Sequence, residues 1–333
     1  MGKKFVFVGL LASFWVGFCL TACERVVKQE SEFRFESRSP FVLETNFVAH
    51  GNYIFYGVFS SDGRFLATGS ADRTVAIWDT AKWERVTLLK ENYSQLWGMP
   101  LAFDKNDNYV VYGAYEELVL WDRMNQKVGV RTNGHRNRVQ TIKKVEDMVV
   151  SGGADGFIRL WRVPSLELVG EKKISLKEIW SIAYDEKKKI IITGGEDGTV
   201  SLFTFPEFVP IYSTREHMFP VEYVAVAPGG GVFATAGGEG LIYLWDVLKK
   251  SPLKELRGHV GAVLVVAFLD RRYLASGGED DTLLFWDLET EKVVGMENLG
   301  SDVMALQYEP LTKKLFVGTR RGEIYIWRFN PEP

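Results

Sequence analysis

Cysteine is almost absent. The chain of 333 residues has two, Cys19 and Cys23, four residues apart near its start, and none afterwards. Whatever fold follows must be held by packing, because no internal disulfide and no cysteine-rich zinc site can form. Histidine is scarce too: His50, His135, His217 and His259 lie too far apart for two of them to bind zinc from one element. No Gly-x-Ser-x-Gly elbow is present, and Gly229-Gly230-Gly231 is followed by no helical pattern that could cradle a phosphate. Charge of one sign is also lacking, with 40 basic and 43 acidic residues. The short basic groups Lys187-Lys188-Lys189, Arg271-Arg272 and Arg320-Arg321 fall between strand-like runs and read as solvated turns, so no nucleic-acid partner is expected. DKNDNY (Asp104 to Tyr109) matches only half of a calcium loop: Tyr109 stands where glycine is needed, and Tyr115 where the closing glutamate belongs. No metal and no cofactor are expected.

The two cysteines belong to a targeting segment. Lys3 and Lys4 make a positive start, and FVFVGLLASFWVGFCLTA runs without a charge from Phe5 to Ala22. A run of that length could serve as an uncleaved signal anchor. Its end, Leu20-Thr21-Ala22-Cys23, resembles instead the lipobox of bacterial lipoproteins, where the signal peptidase cuts before a lipidated cysteine. That resemblance implies cleavage of residues 1–22 and lipid on Cys23, with residues 23–38 as a tether and residues 39–333 as the folded domain. Each buried methylene contributes about 0.8 kcal/mol, so two or three acyl chains would hold the protein on a membrane. The tether would let the domain sit roughly 20 Å away from it.

From about residue 50 onward one pattern recurs. Its clearest copies are His50 to Asp79, Gly134 to Trp161 and Gly258 to Asp287, and the closing aromatics are Trp78, Trp121, Trp161, Phe203, Trp245, Trp286 and Trp327. Their spacings are 43, 40, 42, 42, 41 and 41 residues. Within each unit short β-rich runs alternate with turn residues, including the Asp-Gly pairs at 62–63, 155–156 and 197–198. No segment shows a helical period. Four strands per unit, a Gly-His opening and a Trp-Asp close resemble the WD40 repeats, whose fold is a β-propeller. The resemblance implies an all-β, seven-bladed propeller. The last repeat ends at strand c, so the run near Phe41 to Phe47 is expected to supply the outer strand of blade seven.

The same resemblance implies a role for the histidines. In such blades the histidine bonds an aspartate of the b–c turn and a strand-b hydroxyl, which also serves the strand-c tryptophan. Complete sets are expected in three blades: His50, Thr68, Asp72 and Trp78; His135, Ser151, Asp155 and Trp161; His259, Ser276, Asp280 and Trp286. Blade five has Glu239 in place of aspartate, blade four has Phe203 and no histidine, and blades two and seven lack the set. These four blades are expected to rely more on apolar packing. Adjacent acids such as Glu196-Asp197, Glu279-Asp280-Asp281 and Glu116-Glu117 fall in b–c hairpins and read as turn residues rather than catalytic pairs.

The implied docking site is the top face, located three and five positions past each histidine or its equivalent. Tyr53, Phe55, Trp97, Met99, Arg138, Glu178 and Trp180 are the expected partner-binding residues, a composition suited to interface centres. The sequence thus points to a non-catalytic, monomeric, lipid-anchored scaffold outside the cytoplasm that docks one or more envelope proteins. The alternative is a propeller enzyme or small-ligand binder using the central channel. It would need a cluster of polar, titrating residues there, which sequence inspection does not find.

Overall fold

The computed structural model describes residues 40–93 and 98–330. Residues 1–39, and with them the charge-free run and Cys23, lie outside the described residues, as does Trp97. Among the described residues no helix is long and apolar enough to cross a membrane.

The described strands form seven four-stranded antiparallel sheets, six of them with consecutive strands a to d in spatial order. Blade one is Ile54–Phe59, Phe65–Ser70, Thr74–Asp79 and Glu84–Lys90. The innermost strands of blades three to seven are Val139–Val145, Ile179–Asp185, Val221–Val226, Val263–Phe268 and Val303–Glu309. Strand a of blade seven packs against strand a of blade one, which closes the ring.

Blade seven alone takes a strand from elsewhere in the chain. Phe41–Val48 pairs antiparallel with Glu323–Phe329, from Phe41 opposite Phe329 to Val48 opposite Glu323, with a one-residue register shift between Leu43 and Thr45. The ring of Phe41 stacks on Phe285 of blade six and on Phe329, with centroids 3.6 and 5.2 Å apart. Closure therefore ties the two ends of the propeller together by strand pairing along the whole of the last strand.

The core lies between blades. All seven strand-c aromatics are buried, at 0–6% exposure. Burying a ring of this kind removes about 150–250 Å² from water, several kcal/mol at about 25 cal/mol per Å². The turns follow the sequence chemistry. Gly63, Gly156 and Gly198 all take positive φ, at 68°, 76° and 78°. At Gly156 a Cβ would lie 2.2 Å from the carbonyl oxygen of Ser175, so glycine is required twice over. At the position equivalent to Gly156, Arg73 and Asp281 adopt φ of 69° and 62° without that freedom.

Blade two departs from the others. Its innermost strand is only Leu101–Phe103, although the outer three strands are of ordinary length. The half-matched calcium loop lies in its first turn, where the Asp104 carboxylate accepts from the backbone of Asn106 and Tyr109 at 3.2 and 2.7 Å. That carboxylate is consumed by its own turn.

Candidate docking face and central channel

Each expected set of four is joined by hydrogen bonds. In blade one Trp78 Nε1 donates to Thr68 Oγ1 at 2.9 Å, Thr68 Oγ1 meets His50 Nε2 at 2.8 Å, and His50 Nδ1 meets Asp72 at 3.1 Å. Blade three repeats this with Trp161, Ser151, His135 and Asp155 at 2.9, 2.7 and 2.9 Å, and blade six with Trp286, Ser276, His259 and Asp280 at 2.8, 2.7 and 3.0 Å. A carboxylate can only accept, so each histidine carries its proton on Nδ1. Burial pushes the Asp72, Asp155 and Asp280 carboxyls up. The histidine bonds, with others from the turn, outweigh burial and hold all three well below the usual carboxylate range. Burial also lowers His135, against the pull of Asp155.

A serine, a histidine and an aspartate in this order have the geometry of a hydrolase triad. They cannot act as one here. Ser151 and Ser276 are 0% exposed and already accept an indole N–H, so no substrate can reach the hydroxyl.

Blade five corrects the expectation drawn from Glu239. Its network is complete: Trp245 Nε1 donates to Thr235 Oγ1 at 2.9 Å, Thr235 meets His217 Nε2 at 2.7 Å, and His217 Nδ1 bonds Glu239. The extra methylene of glutamate is absorbed at the turn, where its second oxygen takes the Phe219 N–H at 3.3 Å. Blades two and seven fit the expectation of apolar packing. The residues in register with Thr68 are Tyr112 and Val317, and the indole nitrogens of Trp121 and Trp327 are buried without a hydrogen-bond partner.

The expected docking residues divide. Five of them surround the mouth of the channel, while Met99 does not. It is 0% exposed and packs in the core between blades one and two, because the short inner strand of blade two lacks the irregularity found in the other six. In those six, the register of strand a against strand b advances by one residue. The inserted residues are Phe55, Gln140, Trp180, Glu222, Leu264 and Met304, and all six line a central cavity of about 540 Å³. A bulge re-aims a side chain, and here it aims one from each of six blades into the channel. Tyr53 lies beside the mouth, half-buried, with Phe55 at 5.8 Å and the guanidinium of Arg320 over its ring at 4.8 Å.

The channel also holds the polar cluster that sequence inspection did not find. Glu178 receives Arg138 at 2.6 Å, Gln140 Nε2 at 2.5 Å and Trp180 Nε1 at 3.2 Å. The hydroxyl of Tyr56 donates to the carbonyl of Gln140, joining blade one to blade three. Glu222 is different: among the described residues its carboxyl has no hydrogen-bond or ion-pair partner. Burial, reinforced by Glu279 and Glu239, pushes it up to about 8. Further along strand a of blade three, Lys143 also lines the cavity, with no hydrogen-bond or ion-pair partner among the described residues, and burial together with Lys144 lowers its ammonium. Among the described residues no group of three His, Cys, Asp or Glu side chains could hold a metal.

Sequence counting missed one further feature of the face. Leu176, Met218 and Val260 occupy the same position in blades four, five and six, one past the histidine or its equivalent, and are 92%, 80% and 94% exposed. Phe219 adds a ring at 55%. The signal was an apolar residue directly after Ser175, His217 and His259, where the turn has no need of one.

Comparison with known proteins follows the repeats. Residues 41–79, 127–162, 170–204 and 250–287 match WD40, described as WD domain, G-beta repeat. A stretch of 114 residues is 30% identical to telomerase protein component 1 of Rattus norvegicus and 31% to that of Mus musculus, covering 33% of this chain and 4% of either relative. A stretch of 133 residues is 25% identical to WD repeat-containing protein pop2 of Schizosaccharomyces pombe, covering 40% of this chain and 16% of pop2. The chain therefore spans only a small part of each.

Proposed function

We propose that this seven-bladed propeller of WD40 repeats is a non-catalytic interaction scaffold, held on a membrane of a bacterial cell envelope by lipid on Cys23, and that it docks a partner protein on its top face. The observation that carries the docking is the row Leu176, Met218 and Val260, three nearly fully exposed apolar side chains at one repeat position in consecutive blades. Isolated exposed apolar residues are ordinary, but one recurring at the same turn position of three consecutive blades marks an interaction surface. WD40 propellers generally serve as such scaffolds, and the buried state of each serine–histidine pair supports a non-catalytic role. The lipid anchor rests on the sequence Leu20-Thr21-Ala22-Cys23.

The two parts separate experimentally. Replacing Cys23 with serine should abolish precursor processing and membrane attachment; unchanged attachment would remove the anchor from the account. Affinity capture from detergent-solubilised envelopes should recover a partner with the wild type and lose it with the Leu176→Ser/Met218→Ser/Val260→Ser variant, provided both fold. Identical captures would remove the top face. A second reading, a small-ligand site in the channel, is favoured by the unpartnered Glu222 and Lys143, and equal capture would turn attention to it.

A further inference from the structure

Glu222 stands out among the acids of the top face. The bulge of blade five points it into the aromatic-lined cavity, with Phe55, Trp180 and Tyr223 among the lining residues. Its charged neighbours are Glu239, in the b–c turn of its own blade, and Glu279, in that of blade six, and both are negative. Leu264 and Trp180 occupy the matching bulges on either side and carry no charge. Arg138 pairs with Glu178 at 2.6 Å, Lys177 with Glu196 at 3.5 Å and Arg320 with Asp302 at 2.6 Å, and Lys143, which lines the same cavity from blade three, makes no ion pair with Glu222. The protein thus places an acid in a half-enclosed site where, among the described residues, its carboxyl meets no hydrogen-bond or ion-pair partner. Such a group costs stability unless something else neutralises it.

The surroundings specify what that would be. Aromatic faces attract a cation, and a desolvated carboxylate pairs with one more strongly than an exposed carboxylate does. The apolar row of Leu176, Met218, Phe219 and Val260 lies on the same face, on blades four to six. We propose that the docked partner inserts one cationic side chain, lysine or arginine, into the channel mouth against Glu222, while apolar residues flanking it rest on that row. This rests on the docking reading and gives the partner its chemistry. Because Glu222 holds its proton up to about pH 8, a cation entering at neutral pH displaces that proton.

The test uses the full chain in detergent and two capped peptides, acetyl-Leu-Lys-Leu-amide and its norleucine counterpart, followed by calorimetry at pH 7 in two buffers of different ionisation enthalpy. The lysine peptide should bind at least about tenfold more tightly than the norleucine peptide and release most of one proton. Glu222→Gln should fold as well as the wild type and lose both the preference and the proton release. Equal binding of the two peptides, no change on Glu222→Gln, or no heat with millimolar lysine peptide would each overturn the pairing. A photo-crosslinking residue at Val260, irradiated in whole cells, separates this from the docking reading. An adduct there, with no lysine preference in vitro, overturns the pairing and leaves docking standing. Absence of any adduct overturns docking, and the pairing with it.

Discussion

Replacing Thr235 with valine isolates the worth of one buried network. The substitution keeps the shape of the side chain and removes one hydroxyl, which accepts the indole N–H of Trp245 at 2.9 Å and meets His217 Nε2 at 2.7 Å. Thr235, His217 and Trp245 are 0–1% exposed, so water cannot replace the lost partner. An unsatisfied buried group costs about 1–3 kcal/mol, and two such groups put the loss at about 2–4 kcal/mol after relaxation. Blade four supplies the control. Thr193 occupies the same register and is 4% exposed, but its blade has Phe203 in place of tryptophan and no histidine, and it makes only a 3.4 Å bond to the carbonyl of Ser201. Thr193→Val should cost less than about 1 kcal/mol on the same principle. Equilibrium urea unfolding of the two variants, compared at constant slope, reads the difference directly. Equal losses would mean that the networks add nothing beyond packing, and the reasoning about histidines would fail for every blade.

Three further outcomes follow from groups that sit uncomfortably in the fold. Glu222 binds its proton more tightly folded than unfolded, so its contribution is complete below about pH 4.5 and is lost as pH rises through about 8. Wild type should therefore lose stability over this window relative to Glu222→Gln, by about 2 kcal/mol at pH 9 once solvent screening is allowed for, and parallel urea midpoints from pH 5 to 9 would contradict it. Lys143 has the opposite sign, since its lowered value penalises the charged form; Lys143→Met should raise the pH 7 unfolding free energy by about 1 kcal/mol or more, and a lower value would show that the ammonium is satisfied. Asp281 holds a φ of 62° and makes no hydrogen bond through its side chain among the described residues, so Asp281→Gly should stabilise by about 0.5–1 kcal/mol in thermal or urea unfolding, and a loss would refute the strain argument.

The fold was legible because repetition made it so. Seven aromatics at intervals of 40 to 43 residues gave the number of blades, and the missing last strand pointed to the run near Phe41 to Phe47, where the strand Phe41–Val48 lies. The networks of blades one, three and six were legible from the histidines. That of blade five was misread because Glu239 is one methylene longer than aspartate, a difference that the turn accommodates. Channel chemistry was hidden for a different reason. Arg138, Glu178 and Glu222 come from three blades, and the one-residue insertion in strand a carries no sequence mark. Counting from the histidine placed these residues on the top face, and the bulge turns those five past the histidine inward. Met99 was misplaced because the short inner strand of blade two removes that bulge.

The docking claim is tested most directly by the affinity of the purified partner for three forms of the chain. These are the wild type, the Leu176→Ser/Met218→Ser/Val260→Ser variant, and a control with Leu248→Ser and Leu311→Ser. Leu248 and Leu311, 74% and 72% exposed, lie in turns on the opposite face. The account predicts that the top-face variant binds at least about tenfold more weakly while the control binds as the wild type does. Loss of binding in the control, with the top-face variant unaffected, would place the partner on the other side of the propeller and contradict the account.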